Sequence, residues 1–184
     1  MQQMNRNTII KLMLTLLLAA YASFLFHEFG HWLIGTLLGY KMAMSLNATW
    51  LMSGSSLKQS HSLYFVIGGP AFTILQAMIA LLIIEKYKSL FAYPFLFFPF
   101  ILRMFSWAMG IKFGAEDEMV ISVMLGLKPH IVVIIVFSIL LALVWKGSRT
   151  LKLTFTINSA FCLCSIAFIL VVIATNNLLL LLCR

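Results

Sequence analysis

The sequence predicts an all-α polytopic membrane protein with about five transmembrane helices and a short membrane-surface hairpin after the first helix. Three observations carry this prediction. Of the 184 residues, 62% are hydrophobic and only 10% are charged, whereas about a quarter are charged in a typical soluble domain. Apolar stretches of at least about 18 residues, long enough to cross a bilayer, recur along the chain. The only substantial polar segment, 41–60, follows the first of these stretches.

Each apolar stretch predicts one span, and the polar segment predicts the hairpin. Apolar and polar residues alternate at the start of the polar segment (41–46), which indicates a short strand or hairpin. The fourth span is expected to be one helix that is kinked at Pro129. We expect a single transmembrane domain, 1–184, with a motif-bearing core at 8–127 and C-terminal helices at 128–184. The predicted spans are 9–38, 62–84, 91–111, 119–145 and 153–174.

The charge and the cysteines point to a membrane rather than to nucleic acid. The formal net charge is +8, but the basic residues stand singly in short loops, where they orient a chain in an anionic bilayer.

Cys162, Cys164 and Cys183 lie in the last apolar stretch without the spacing of a zinc or redox motif, so we interpret them as buried thiols. The long first apolar stretch shows no cleavage site and is expected to be a retained helix.

The most specific motif is His27-Glu28-Phe29-Gly30-His31, an H-E-x-x-H pattern inside the first predicted helix. Residues four apart share one face of a helix, so both imidazoles can bind one metal ion, and the glutamate can then take a proton from water at that ion. Ionisable side chains at membrane depth are costly unless they are paired or ligated. The motif therefore predicts a metal site with His27 and His31 as ligands and Glu28 as the catalytic base.

A catalytic zinc site usually has three protein ligands, so a third is expected. The acidic triplet Glu116-Asp117-Glu118 falls at the same end of the predicted bundle as the histidines, whereas Glu85 falls at the opposite end. We predict Asp117 as the third ligand, with Glu116 or Glu118 as alternatives.

A further feature lies at the same depth. Pro70 cannot donate a hydrogen bond within its helix, and Gly68 and Gly69 permit close backbone approach. Taken alone, this segment fits a kink at a helix–helix contact equally well, but beside a metal site we expect it to pair with an extended substrate. Arg103, inside the third predicted span, either pairs with an acidic substrate group or Glu116 or, as we favour, extends to the membrane surface.

These motifs together resemble the site-2 protease family of intramembrane zinc metalloproteases. The segment 27–41, HEFGHWLIGTLLGYK, resembles the active-site helix of that family. The segment 68–73, GGPAFT, resembles its glycine-proline motif, with Thr73 where asparagine is common. Asp117, in EDEMVISVMLG, stands in the place of its aspartate-containing motif. The resemblance covers about 8–127, with the motifs in the same order.

The resemblance implies an intramembrane zinc metalloendopeptidase. Its expected cofactor is Zn²⁺, and its expected substrates are transmembrane or membrane-anchored polypeptides, which Gly68, Gly69, Pro70 and Thr73 would help to position. The protein is expected to be integral and multi-pass in a prokaryotic cell (inner) membrane. Two alternatives remain, a non-catalytic relative that binds membrane segments and, less favoured, a metal transporter. The oligomeric state and the orientation of the site are not predicted.

Overall fold

The fold is almost entirely α-helical, as the sequence predicts. The computed structural model describes residues 5–52, 56–113 and 116–182. Within them, five helices are long and apolar enough to cross a membrane. The helices are α1 (Arg6–Leu37), α2 (Gln59–Tyr87), α3 (Tyr93–Phe113), α4 (Asp117–Met124), α5 (Ile131–Thr150) and α6 (Phe155–Leu182); strands β1 (Met42–Met44) and β2 (Thr49–Leu51) follow α1.

The expected hairpin forms directly after α1. The helix ends where Gly39 takes the left-handed conformation, with φ +88°, and Tyr40 N donates to the Gly35 carbonyl over 3.1 Å. This pattern is a Schellman C-cap. The strands pair antiparallel, with Ala43 opposite Trp50. The chain is thereby turned back over the end of α1 that carries the H-E-x-x-H motif.

The fourth predicted span is wrong as a single helix. Helix α4 ends at Met124, because Gly126 adopts a φ of +72° and Leu127 N donates to the Ser122 carbonyl over 2.8 Å, in a second Schellman cap. Pro129 then precedes the start of α5 at Ile131 instead of bending a continuous helix. The break makes α4 a separate short helix whose first residue is Asp117. The last helix is also longer than predicted, because the Leu-rich tail continues it to Leu182.

Helices α1 and α2 make the most extensive helix–helix contact among the described residues and touch at a pair of glycines. A methyl group on Gly30 would collide with the Gly68 carbonyl, and one on Gly68 would collide with the Gly30 backbone. Such small residues allow close approach of membrane helices. Helix α2 runs unbroken through Pro70. Helix α5 packs against α2, α3 and α4, and α6 packs against α1 and α3.

The core is apolar with a few polar links between helices. Gln76 Nε2 donates to Ser23 Oγ over 2.8 Å and to the Phe95 carbonyl over 3.2 Å, which joins α2 to α1 and α3. Tyr93 Oη donates to Asn158 Oδ1 over 2.6 Å, which joins α3 to α6. The largest fully buried side chains include those of Leu12, Leu16, Ile84, Leu96, Phe98, Leu140, Phe161 and Ile169.

Candidate metal centre

His27 and His31 lie one turn apart on the buried face of α1. Each residue is about 5% exposed, and the two Nε2 atoms are 3.2 Å apart. The rings meet edge to face, with centroids 4.8 Å apart. This is the arrangement expected for residues i and i+4 of a helix when both side chains point at one position.

Asp117 is the acidic residue that the fold brings to these imidazoles. Its Oδ2 lies 2.9 Å from His27 Nε2 and 3.3 Å from His31 Nε2. The first residue of the short helix α4 is therefore an acidic ligand candidate directed at α1.

The spacing of these three atoms fits a zinc ion. Ligand atoms of a tetrahedral zinc site with bonds of about 2.0–2.1 Å lie about 3.3 Å apart. The three distances in the cluster, 2.9, 3.2 and 3.3 Å, are close to that value. Among the described residues, His27, His31 and Asp117 form the one group of three with metal-ligating spacing.

The hydrogen bonds on the far side of each ring fix the imidazole tautomers. His31 Nδ1 is 2.9 Å from the Phe65 carbonyl, which can only accept, so Nδ1 carries a hydrogen. His27 Nδ1 is 3.0 Å from Thr73 Oγ1. Because that hydroxyl donates its one hydrogen to the Gly69 carbonyl, it must accept from His27. Outer partners of this kind orient histidine ligands in metal sites.

These tautomers leave three acceptor atoms facing one another. In each neutral imidazole the hydrogen is on Nδ1, so Nε2 presents a lone pair, and both lone pairs face the carboxylate of Asp117. Three acceptors at about 3 Å repel one another unless a cation or a proton lies among them. The chemistry of the donor set thus matches a divalent cation with two nitrogen ligands and one oxygen ligand.

Glu28 lies beside this cluster and is held by the hairpin. Thr49, the first residue of β2, places its hydroxyl 2.9 Å from Glu28 Oε2 and 3.0 Å from the Glu28 carbonyl, and can donate to either. Glu28, both histidines and Asp117 all line a cavity of about 390 Å³, which the hairpin residues 47–49 help to enclose. A carboxylate that faces the same cavity as the cluster can accept a proton there.

The glycine-proline segment lies in the interior of α2, under the imidazoles. A methyl group on Gly69 would overlap the rings of both histidines, so only glycine leaves room for them. Gly68, Gly69, Pro70 and Thr73 are all buried, and the two glycines lie against the Gly30 backbone and the histidine rings of α1. Its role in pairing with substrate stays a prediction.

The other acidic residues of the triplet are not in the group with ligating spacing, although Glu116 lines the same cavity. Glu118 Oε1 is 3.5 Å from Arg103 Nη1. Burial raises the pKa of Glu116 to about 7, although the guanidinium of Arg103 acts in the opposite direction. The expectation that Arg103 extends to the membrane surface is wrong, because the residue is only 8% exposed and its Nη1 lies 3.8 Å from Asp117 Oδ2.

Sequence reasoning missed the residues that support the ligands. Thr49 lies in a segment that the sequence marks only as polar. The Phe65 carbonyl carries no side-chain signal, and Thr73 was expected to contact substrate rather than His27. The remaining histidines lie elsewhere, with His61 bonded to Tyr40 and His130 to Trp107. The available sequence signal for Thr73 was its position one helical turn after the buried Gly69.

Comparisons of the chain with protein-family models, with curated proteins and with solved structures find no significant match.

Proposed function

We propose that this chain is an intramembrane zinc metalloendopeptidase that hydrolyses peptide bonds of transmembrane or membrane-anchored proteins. The observation that carries the proposal is the cluster of His27 Nε2, His31 Nε2 and Asp117 Oδ2, whose atoms lie within 3.3 Å of one another. Glu28 lines the same cavity. This combination of ligands and neighbouring base is that of a zinc hydrolase.

The proposed roles follow from the positions of the side chains. His27, His31 and Asp117 would hold Zn²⁺, with Thr73 and the Phe65 carbonyl orienting the rings. Zinc in such a set acts as a Lewis acid that polarises a carbonyl and lowers the pKa of water.

Glu28 would take the proton of the attacking water and pass it to the leaving amine. A hydrogen bond from Thr49 to Oε2 would orient the Glu28 carboxylate for this transfer.

The surroundings of the site support a membrane substrate. His27 and His31 lie within α1, a helix long and apolar enough to cross the bilayer. Strand β2 belongs to a two-stranded sheet, so one of its edges is unpaired within the described sheet, and Thr49 lines the cavity. An extended substrate segment could add to such an edge by main-chain hydrogen bonds. The proposal includes a multi-pass topology in a prokaryotic cell (inner) membrane, with a role in regulated intramembrane proteolysis or membrane-peptide processing.

A metal transporter is less well supported. An ion path needs ligands at several depths, but among the described residues only one group of three has ligating spacing. The Arg103 guanidinium, buried 3.8 Å from the carboxylate of that group, would repel a moving cation.

Substitution Glu28→Gln tests the enzyme proposal against a non-catalytic binder of membrane segments. Wild type and variant are reconstituted in liposomes with a set of single-span peptides, and cleavage is followed by mass spectrometry. We expect cleavage by wild type, its loss in Glu28→Gln, and unchanged zinc content, because Glu28 is a base and not a ligand. The matched control is Glu85→Gln, since Glu85 is paired with Lys146 away from the site. Equal cleavage by wild type and Glu28→Gln would refute the catalytic role.

A further inference from the structure

Arg103 is a buried cation in α3 whose hydrogen-bonding capacity is largely unused. It is 8% exposed, and its Nε and Nη1 atoms are buried without a hydrogen-bond partner among the described residues. The one hydrogen bond that it makes to a described residue runs from Nη2 to Ser106 Oγ and is long, at 3.4 Å. A buried guanidinium in an apolar helix is costly, so unused donors at this position call for an explanation.

The nearby carboxylates balance the charge of Arg103 but do not use its donors. Glu118 Oε1 and Asp117 Oδ2 lie 3.5 and 3.8 Å from Nη1, and within the described part of the chain Glu118 Oε1 has no hydrogen-bond partner. Arginine–carboxylate pairs that hydrogen-bond well are usually bidentate at about 2.7–2.9 Å. The pairs here are looser, which leaves N–H groups available to a further acceptor.

The position of Arg103 makes that acceptor an anion in the metal cavity. Its Nη1 is 3.8 Å from Asp117 Oδ2, the same oxygen that lies 2.9 Å from His27 Nε2. Arg103 also lines the 390 Å³ cavity together with Glu28. Negative charge developing beside the ligand set would therefore lie within reach of the guanidinium.

We propose that Arg103 is a further catalytic residue, which binds the oxyanion formed during peptide hydrolysis and then the carboxylate of the product. This inference rests on the proposed function. As the water oxygen bonds to the carbonyl carbon and Glu28 takes its proton, the carbonyl π electrons move to oxygen, and the guanidinium donates to that oxyanion. When the carbonyl re-forms, the C–N bond breaks and Glu28 returns the proton to the amine. The product acid then gives its remaining proton to Glu28, which leaves the carboxylate that Arg103 binds. Preorganised donors at a developing charge lower a barrier in this way.

The test compares an anionic ligand with a neutral one at the metal. Wild type, Arg103→Gln, Arg103→Lys and Arg149→Gln are loaded with Co²⁺, and acetate and imidazole are titrated against the visible d–d spectrum. Acetate stands for the product carboxylate, and imidazole reports access to the metal without charge. Arg149 is an exposed arginine of α5 that lies over Trp145, so its substitution is a matched control.

We expect Arg103→Gln to weaken acetate binding by at least about tenfold while imidazole binding stays within about twofold, because a charge-assisted hydrogen bond is lost. Arg103→Lys should fall between Arg103→Gln and wild type, and Arg149→Gln should match wild type. Equal changes for acetate and imidazole, or no change in either, would overturn the proposal.

Two further outcomes separate this inference from the proposed function. Loss of cobalt in both Arg103 variants, with uptake by wild type, would make Arg103 a positioning residue for Asp117 and overturn the anion role alone. Failure of wild type itself to bind cobalt would overturn the proposed function, and the inference with it.

Discussion

The hydrogen bond between Thr73 and His27 gives the sharpest prediction about how the fold prepares a metal ligand. Thr73→Val keeps the shape of the side chain but removes the acceptor for His27 Nδ1, which is 3.0 Å away. Both residues are buried, with Thr73 only 2% exposed, so water cannot easily replace the hydroxyl. A buried donor without a partner costs about 1–3 kcal/mol. Loss of such an outer partner typically lowers metal affinity by about 10- to 100-fold.

The assay is competition for Zn²⁺ with a chromophoric chelator, in detergent at constant pH. We expect Thr73→Val to bind zinc about 10- to 100-fold more weakly than wild type. Thr73→Ser, which keeps the hydroxyl, should stay close to wild type and serves as the control. If Thr73→Val binds zinc as tightly as wild type, then the hydrogen bond does not fix the His27 tautomer, and the reasoning fails.

Three further predictions concern packing, stability and metal removal. Gly69→Ala should abolish high-affinity zinc binding, because its methyl group overlaps both imidazoles. Gly35→Ala is the control and should retain zinc, because only the flexible side chain of Met42 must move. The zinc content of both variants is measured by mass spectrometry. Tyr93→Phe should lower the free energy of unfolding by about 0.6–2 kcal/mol with zinc content unchanged, since it removes the 2.6 Å hydrogen bond to Asn158 Oδ1. An unaltered melting temperature would contradict this prediction. Chelation of zinc should lower the melting temperature, because zinc at 100 times its Kd adds about 2.7 kcal/mol; identical melting with and without chelator would speak against a structural zinc contribution.

Most of the helical architecture could be predicted because apolar length is a local property. A run such as 9–38 has the composition of a span whatever surrounds it. The break between α4 and α5 was missed because it depends on Gly126 adopting a positive φ in a Schellman cap, whereas Pro129 alone is compatible with a kinked helix. The extension of α6 was missed because its Leu-rich end was too short to count as a separate span.

The members of the candidate metal cluster could be predicted from the sequence, but the residues that hydrogen-bond to them could not. His27, Glu28 and His31 share one helix, so their relation follows from helical periodicity. The prediction of Asp117 required only that the first helix and the acidic segment 116–118 reach the same depth in the membrane. The partnerships of Thr73 and Thr49 depend on the exact packing of α2 and the hairpin against α1, which no local pattern encodes.

The buried state of Arg103 was missed for a related reason. The Asp117 and Glu118 carboxylates compensate its charge, and they lie on α4, an element that the sequence did not separate from α5.

The measurement that tests the central claim most directly is the metal content of the purified chain. Wild type, His31→Ala, Asp117→Ala and His130→Ala are prepared in detergent under metal-replete conditions and compared by elemental mass spectrometry. We predict about one zinc per chain in wild type and in His130→Ala, a histidine outside the cluster, and loss of zinc in the other two variants. Absence of bound zinc in wild type, or equal zinc in His31→Ala, would contradict the three-ligand metal centre.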